Sequence, residues 1–227
     1  MLDAALAALR QILTPPFRSV LWKSVGLTLL LLALVWAGLD RLALSMLVVD
    51  HPLLHTILAF ATGFGIVFAL AFLIGPVSIF VAGFFIDDLA AIVEREIYPA
   101  GREGTPAHHV EALRSAIRFS FVSLGVNFVA LLLLLVPGVN VMAFFLANAY
   151  LFGREYFMLA AMRFRSSGEA EEMRSLNSLT LFVAGLFIAV FVATPGLNLL
   201  TPLFATAFMV RMHKRLSPDL AAAYPPR

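Results

Sequence analysis

The stretch TPGLNLLTPLF, residues 194–204, lies inside a run, residues 175–210, that carries no charged residue. Proline, glycine and asparagine in such close succession are turn chemistry. Proline cannot continue the helix before it, glycine takes the left-handed conformation that closes a helix, and asparagine can cap the next one. The chain is therefore expected to turn in the middle of a segment apolar enough to enter a bilayer. The same device recurs as VPGVN, residues 136–140, inside a second charge-free run, residues 119–153. Pro137, Gly138 and Asn140 stand 58 residues before Pro195, Gly196 and Asn198, and the match continues through Ala147 with Ala205, Ala149 with Ala207 and Tyr150 with Phe208. This is an internal repeat of two helical hairpins.

The composition agrees with membrane insertion. Apolar residues make up 61% of the 227 residues and charged residues 13%, against about 45–50% and about 25% in a soluble domain. Cysteine is absent, which removes disulfides and thiolate metal sites. The net charge of +2 is too small to point to nucleic acid as a partner. Residues 1–13, MLDAALAALRQIL, lack the basic start and small-residue cleavage site of a signal peptide and suit an amphipathic helix lying in the bilayer interface.

Charge placement sets the topology. The apolar run 24–39 follows Arg10, Arg18 and Lys23 and precedes Asp40, Arg41, Asp50 and His51, so its basic end should be cytoplasmic. Sixteen helical residues rise roughly 24 Å against a hydrocarbon core of about 30 Å. Flanking residues must join in, and a membrane helix over 17–49 is expected. A second, longer helix over 53–98 returns the chain, with a kink at Gly75-Pro76 where proline removes a backbone donor. It runs on into a charged stretch, DDLAAIVEREIYP, whose acids suit a solvated cytoplasmic face.

Each later charge-free run is basic at both ends: Arg114 and Arg118 against Arg154, Arg163 and Arg165, then Arg174 against Arg211, Lys214 and Arg215. If each run turns back, both ends stay inside, and of the 16 Lys and Arg residues only Arg41 faces outward. The second legs, residues 141–153 and 199–210, give only roughly 20 Å of helix. The expected fold is thus all-α and integral to the membrane: two long transmembrane helices plus two re-entrant, hemi-penetrating hairpins, at 108–165 with apex 137–140 and at 174–216 with apex 195–198. Six thin spans with short outer turns would place the charges equally well. Backbone turned at lipid depth must be buried in protein or line a wet cavity, so a homo-oligomer is expected.

No catalytic constellation is visible, and an enzyme is not expected. His51, His55, His108, His109 and His213 fall in predicted flanks or loops without a third ligand, so neither a metal nor another cofactor is implied. The glycines of TGFGIVF, residues 62–68, suit close helix packing. Helix starts near mid-depth expose free amides that suit an anion, which singles out the apices at Gly138, Asn140, Gly196 and Asn198. A third start, TPPFRS at residues 14–19, offers Thr14 as a cap, Pro15 in the first turn and Arg18 one turn in. Helix start and guanidinium together suit an oxyanion; a membrane-anchoring arginine is the plainer alternative. Glu155, just beyond the first hairpin, suits an ion pair with a nearby arginine or proton coupling.

Four stretches, LTPPFRSVLWKSVGLTLLLL, FFIDDLAAIVEREIYP, VPGVNVMAFFLANAYLFGREYFMLAAMRF and ATPGLNLLTPLFATAFMVRM, together resemble the CysZ-type sulfate permeases of bacteria, relatives of the etoposide-induced 2.4 membrane proteins. The resemblance covers about residues 9–216. It implies two spanning helices and two hemi-penetrating hairpins, assembled as oligomers that pass sulfate through the bacterial inner membrane for cysteine synthesis, with both termini cytoplasmic. In that family sulfate sits on a Gly-hydrophobic-Arg-Arg stretch. The matching residues here are Pro16, Phe17, Arg18 and Ser19, so one arginine is kept and the glycine is proline. An inorganic anion and the lipid bilayer are the implied partners. A membrane scaffold with wedge-like hairpins, through which no solute crosses, is the alternative.

Overall fold

The computed structural model describes residues 1–46, 52–98, 103–133, 140–194 and 197–218. Among them the chain is helical, without strands: α1 (Leu2–Ile12), α2 (Pro15–Met46), α3 (Pro52–Ile97), α4 (His109–Leu133), α5 (Asn140–Ala161), α6 (Ser167–Leu176), α7 (Ser178–Ala193), a 3-10 turn (Leu197–Leu200) and α8 (Thr201–Leu216). The chain forms two units, Ser19–Phe85 and Met1–Arg18 with Ile86–Arg227, and the boundaries fall inside α2 and α3.

The smaller unit wears its apolar side chains outside. Trp22, Leu29, Leu30, Leu34 and Trp36 of α2 are exposed, as are Phe60, Phe64, Val67 and Phe68 of α3. Exposed apolar surface on this scale is what lipid or another protein covers. The segment Pro15–Leu42 of α2 is long and apolar enough to cross a membrane. α3 continues through Gly75-Pro76 without a break in the helix. Among the described residues nothing packs on the TGFGIVF glycines: a Cβ on Gly63 or Gly65 would meet nothing within 4 Å.

The larger unit is built around α8. Leu203, Phe204, Ala205, Ala207, Phe208, Met209 and Val210 are all buried, so this half of the second hairpin is a core helix. α1 lays Ala4, Ala5, Ala8 and Ile12 inward, while Leu2, Leu6, Leu9 and Leu13 face out. The outward leucines recur at helical spacing and leave an apolar stripe on the face of α1 that points away from the rest of the unit. Phe191 at the end of α7 stacks on Phe204 at 4.0 Å between ring centroids, and Phe204 on Phe208 at 5.5 Å.

α5 and α7 cross where both lack side chains. A Cβ on Gly185 would strike the carbonyl of Ala149 and come within 3.1 Å of the Gly153 Cα; one on Gly153 would strike the carbonyl of Leu181. Ala149 and Gly153 are one turn apart, as are Leu181 and Gly185, so two small-residue faces let the backbones touch.

α6 and α7 meet at 90°. Asn177 makes the corner. Its side-chain amide donates to the Met173 carbonyl at 2.9 Å and so closes α6, while its own carbonyl accepts the Leu181 amide at 2.9 Å and so opens α7. α6 begins at a capping box, with the Ser166 hydroxyl accepting from the Glu169 amide and the Glu169 carboxylate accepting from the Ser166 amide.

The hairpins differ in length. Val110–Leu133 of α4, the first leg of the first hairpin, is long and apolar enough to cross a membrane. α7 and α8 have 16 residues each, roughly 24 Å of helix. Both proline-glycine apices, Pro137-Gly138 and Pro195-Gly196, lie outside the described residues. Asn140 is the first residue of α5. Asn198 does not cap α8: it sits in the 3-10 turn with its amide donating to the Thr194 carbonyl at 3.1 Å, and α8 starts three residues later with Leu200 as its cap. Pro202 in the first turn of α8, with its φ already helical, fixes that later start.

Candidate functional site

The start of α2 carries the first group of candidate residues. Arg18, Ser19 and Pro16 are exposed and Phe17 is fully buried, so Phe17 pins the turn while its neighbours face out. Among the described residues Arg18 has no ion-pair partner, which leaves its guanidinium open. The backbone offers less than the sequence suggests. Pro15 and Pro16 have no N–H, and the Arg18 amide is committed to the Thr14 carbonyl at 3.0 Å. Only the Phe17 amide remains among the donors that a helix start normally presents. The Thr14 hydroxyl points backward and donates to the Gln11 carbonyl at 2.6 Å. Beyond the Phe17 amide, what the start of α2 exposes is the Arg18 guanidinium and the Ser19 hydroxyl. Glu155 is half-buried on α5 and feels the charge of Arg154 without forming a close ion pair among the described residues.

The charged segments at 87–98, 154–174 and 211–215 are organised around buried pairs. Arg163, just after α5, lies with its side chain only 4% exposed. Its Nε donates to Glu94 Oε1 at 2.6 Å, Nη2 to Glu94 Oε2 at 3.1 Å and to the Gly104 carbonyl at 3.0 Å, and Nη1 to Asp87 Oδ1 at 2.6 Å. Burial disfavours the charge, but the bonds and attraction from Glu94, then Asp87, outweigh it and hold the guanidinium above its ordinary pKa. Glu94 also accepts the Gly104 amide at 2.9 Å, and the Thr105 amide donates to the Arg163 carbonyl at 2.9 Å. These bonds tie the loop before α4 to the end of α5.

The acids at 87–96 are thus not simply a solvated face, because a buried guanidinium needs carboxylates against it. The signal was present in the sequence: Leu89, Ala90, Val93 and Glu94 form one helical stripe, all buried. His213 likewise is no solvated helix end. It is 1% exposed, stacked on Phe164 at 5.4 Å and edge-on to Phe157 at 6.0 Å, with the Ser217 hydroxyl 3.2 Å from its Nε2.

Beside this pair runs a second network. Arg211 donates to Gln11 Oε1 at 2.9 Å and Glu96 Oε1 at 2.8 Å, and Gln11 donates to Glu96 at 2.5 Å, so α1, α3 and α8 are joined at their polar ends. Lys214 donates to the Ile97 carbonyl and sits 4.6 Å from the centre of the Tyr98 ring. Burial, then the neighbouring Arg211, holds the Lys214 ammonium below its ordinary pKa.

Two further features have room or charge to spare. A cavity of 650 Å³ opens between the 103–108 loop and the end of α5, lined by Tyr98, Glu103, His108, Phe164, Arg165 and Glu169 among others. In addition, three arginines from three helices converge on one carboxylate. Glu171 of α6 lies 3.0 Å from Arg118 of α4, 2.9 Å from Arg174 of α6 and 3.7 Å from Arg154 of α5. Nothing in the run EAEEMR distinguishes Glu171 from Glu169 or Glu172; its place on α6 beside Arg118 of α4 and Arg154 of α5 selects it. Among the described residues no cluster of histidine and carboxylate ligands could hold a metal ion.

Long apolar helices with bare outer surfaces and charges gathered into short segments define an all-α integral membrane protein. The chain belongs to the family described as Sulfate transporter CysZ/Etoposide-induced protein 2.4, which it matches over residues 4–202. No individually curated protein matches the chain.

Proposed function

We propose that the chain is an anion permease, with sulfate as its first substrate, working in the bacterial inner membrane as a homo-oligomer with both termini cytoplasmic. The observation that carries this is the family match across residues 4–202, which takes in the start of α2 and both proline-glycine turns. Arg18 and Ser19 present a guanidinium and a hydroxyl to the ion, Phe17 anchors the turn and Pro16 shapes it. The hairpin apices, Gly138 and Asn140 with Gly196 and Asn198, line or gate the route, and Glu155 adjusts charge along it. Oxidised sulfur delivered in this way feeds cysteine synthesis. No step requires a cofactor, and the chain acts by transport rather than by catalysis. Helix α2, long and apolar enough to span, sets Arg18 at the rim of its apolar stretch, where a guanidinium collects anions without being buried in hydrocarbon.

The test is radiolabelled sulfate entry into proteoliposomes carrying the wild-type chain or Arg18→Ala. Entry above empty liposomes that falls in the variant supports both the activity and the site. Entry at the level of empty liposomes discards the permease in favour of a scaffold whose hairpins act on the bilayer, and unchanged entry in the variant discards only the site.

A further inference from the structure

The convergence of Arg118, Arg154 and Arg174 on Glu171 leaves hydrogen-bonding capacity unused. Glu171 Oε1 takes both Arg118 and Arg174, and Oε2 faces Arg154 across 3.7 Å, beyond hydrogen-bonding distance. The Arg154 side chain is 6% exposed, yet its Nη1 has no hydrogen-bond partner, and neither has the buried Nε of Arg174. A buried guanidinium normally has an acceptor for each edge. Here three guanidinium groups crowd one carboxylate, and Glu155 is reached only by the charge of Arg154. Two buried donors, Arg154 Nη1 and Arg174 Nε, and one buried acceptor, Glu171 Oε2, are left without hydrogen-bond partners. Glu171 Oε1 carries two of the arginines while the buried Oε2 reaches none within hydrogen-bonding distance, so the carboxylate is held where it does not satisfy all three.

A tetrahedral oxyanion would supply the missing acceptors. Its oxygens offer acceptors in four directions, against the two of a carboxylate, to Arg154 Nη1, Arg174 Nε and the Arg118 fork, which all border Glu171, and its charge is closer to the local excess. Entry is open on one side, since the Arg118 side chain is 59% exposed while Arg154 and Arg174 form the floor. We infer that Arg118, Arg154 and Arg174 form an oxyanion site, distinct from the start of α2, in which Glu171 is a tethered stand-in that the ligand displaces. The ligand is a sulfate-like or phosphate-like group, free in solution or carried as the headgroup of an acidic lipid. Basic clusters beside apolar helices hold such headgroups by the same contacts. The inference concerns binding alone and does not depend on any solute crossing the membrane.

Two measurements on the full chain, purified in a neutral detergent, test it. One is calorimetric titration with sodium sulfate and with inorganic phosphate; the other is retention of added phosphatidylglycerol by native mass spectrometry. Glu171→Gln removes the competing charge and keeps the shape. It should tighten binding of one probe by about tenfold, in keeping with the loss of a charge-assisted competitor. Adding Arg154→Met should cancel the gain. A gain in the titrations identifies a free oxyanion, and a gain confined to phosphatidylglycerol identifies a headgroup.

A folded Glu171→Gln protein with no gain for either probe overturns the site. Should that variant not fold, Arg118→Gln in the wild-type background decides. A fall in affinity of about threefold or more, part of what one charge-assisted contact contributes, supports the site, and unchanged or undetectable binding of both probes overturns it. Neither measurement involves flux, so a failed transport assay leaves this result standing.

Discussion

Gly153 and Gly185 meet backbone to backbone: a Cβ on Gly153 would come within 3.3 Å of the Gly185 Cα after striking the Leu181 carbonyl. Neither obstacle is a flexible side chain that can swing away. Gly185→Ala should therefore push α5 and α7 apart and cost about 1–3 kcal/mol, the usual range for overpacking. Gly125→Ala, where a Cβ would meet nothing within 4 Å, should leave stability unchanged or slightly raised by its better helix propensity. Thermal unfolding of the detergent-solubilised protein, followed by tryptophan fluorescence, checks both. Equal midpoints for the two variants would contradict the crossing.

The Arg163–Glu94 pair makes a sharper stability prediction. Glu94 is fully buried and holds both the guanidinium and the Gly104 amide. Glu94→Ala would strand a buried cation and should cost about 3–5 kcal/mol. Asp87→Ala removes only a half-exposed partner, and should cost about 1 kcal/mol or less once solvent screening is allowed for. The ordering of the two unfolding midpoints is the measurement. Asp87→Ala falling further than Glu94→Ala would show that the burial is misassigned.

These two contacts mark the limit of what the sequence discloses. The charge-free runs, their arginine flanks and the turn chemistry are properties of short segments, and they suffice to read an all-α membrane protein with hairpin-like pairs. Partner choice is not a local property. Ala149 and Gly153 have the spacing of a packing face, but so do many small-residue pairs here, and Gly63 and Gly65 have the more conspicuous spacing with nothing against them. Glu94 was legible in part, as a carboxylate on a buried stripe; its partner Arg163, 69 positions later, was not. At the start of α2 the sequence gives the residues but conceals that the Arg18 amide is already engaged by Thr14.

Glu171 gives a pH dependence of definite sign. Burial alone would raise its carboxyl pKa, but the hydrogen bond and charge of Arg174, followed by Arg118 and Arg154, outweigh burial and hold it below the ordinary 4.5. A carboxyl lowered in the folded state contributes stability that is fully present above its unfolded pKa and is lost as pH falls through the folded value. The wild-type midpoint should therefore drop as pH falls below about 4.5, and Glu171→Gln should remove that share of the drop while leaving the slope between pH 6 and 8 unchanged. A Glu171→Gln profile parallel to wild type from about pH 5 to pH 3 would show that the three arginines do not act on this carboxyl.

The depth of the hairpins is open to a direct test because the chain has no cysteine, so each introduced thiol reports alone. Two legs of 16 residues, α7 and α8, reach roughly 24 Å, short of a hydrocarbon core of about 30 Å. An apex between them should stop inside the membrane rather than emerge. Gly138→Cys and Gly196→Cys in intact cells should resist a membrane-impermeant maleimide added outside, while Arg41→Cys, at the far end of the apolar stretch of α2, reacts readily. The first apex is the more demanding case, since Val110–Leu133 of α4 is long enough to carry it across. Labelling at 138 with protection at 196 would make the first hairpin a pair of true spans and leave only the second re-entrant. Labelling at both would turn each into an ordinary outer loop, and the anion route would then have to run along fully spanning helices instead of between two shallow corners.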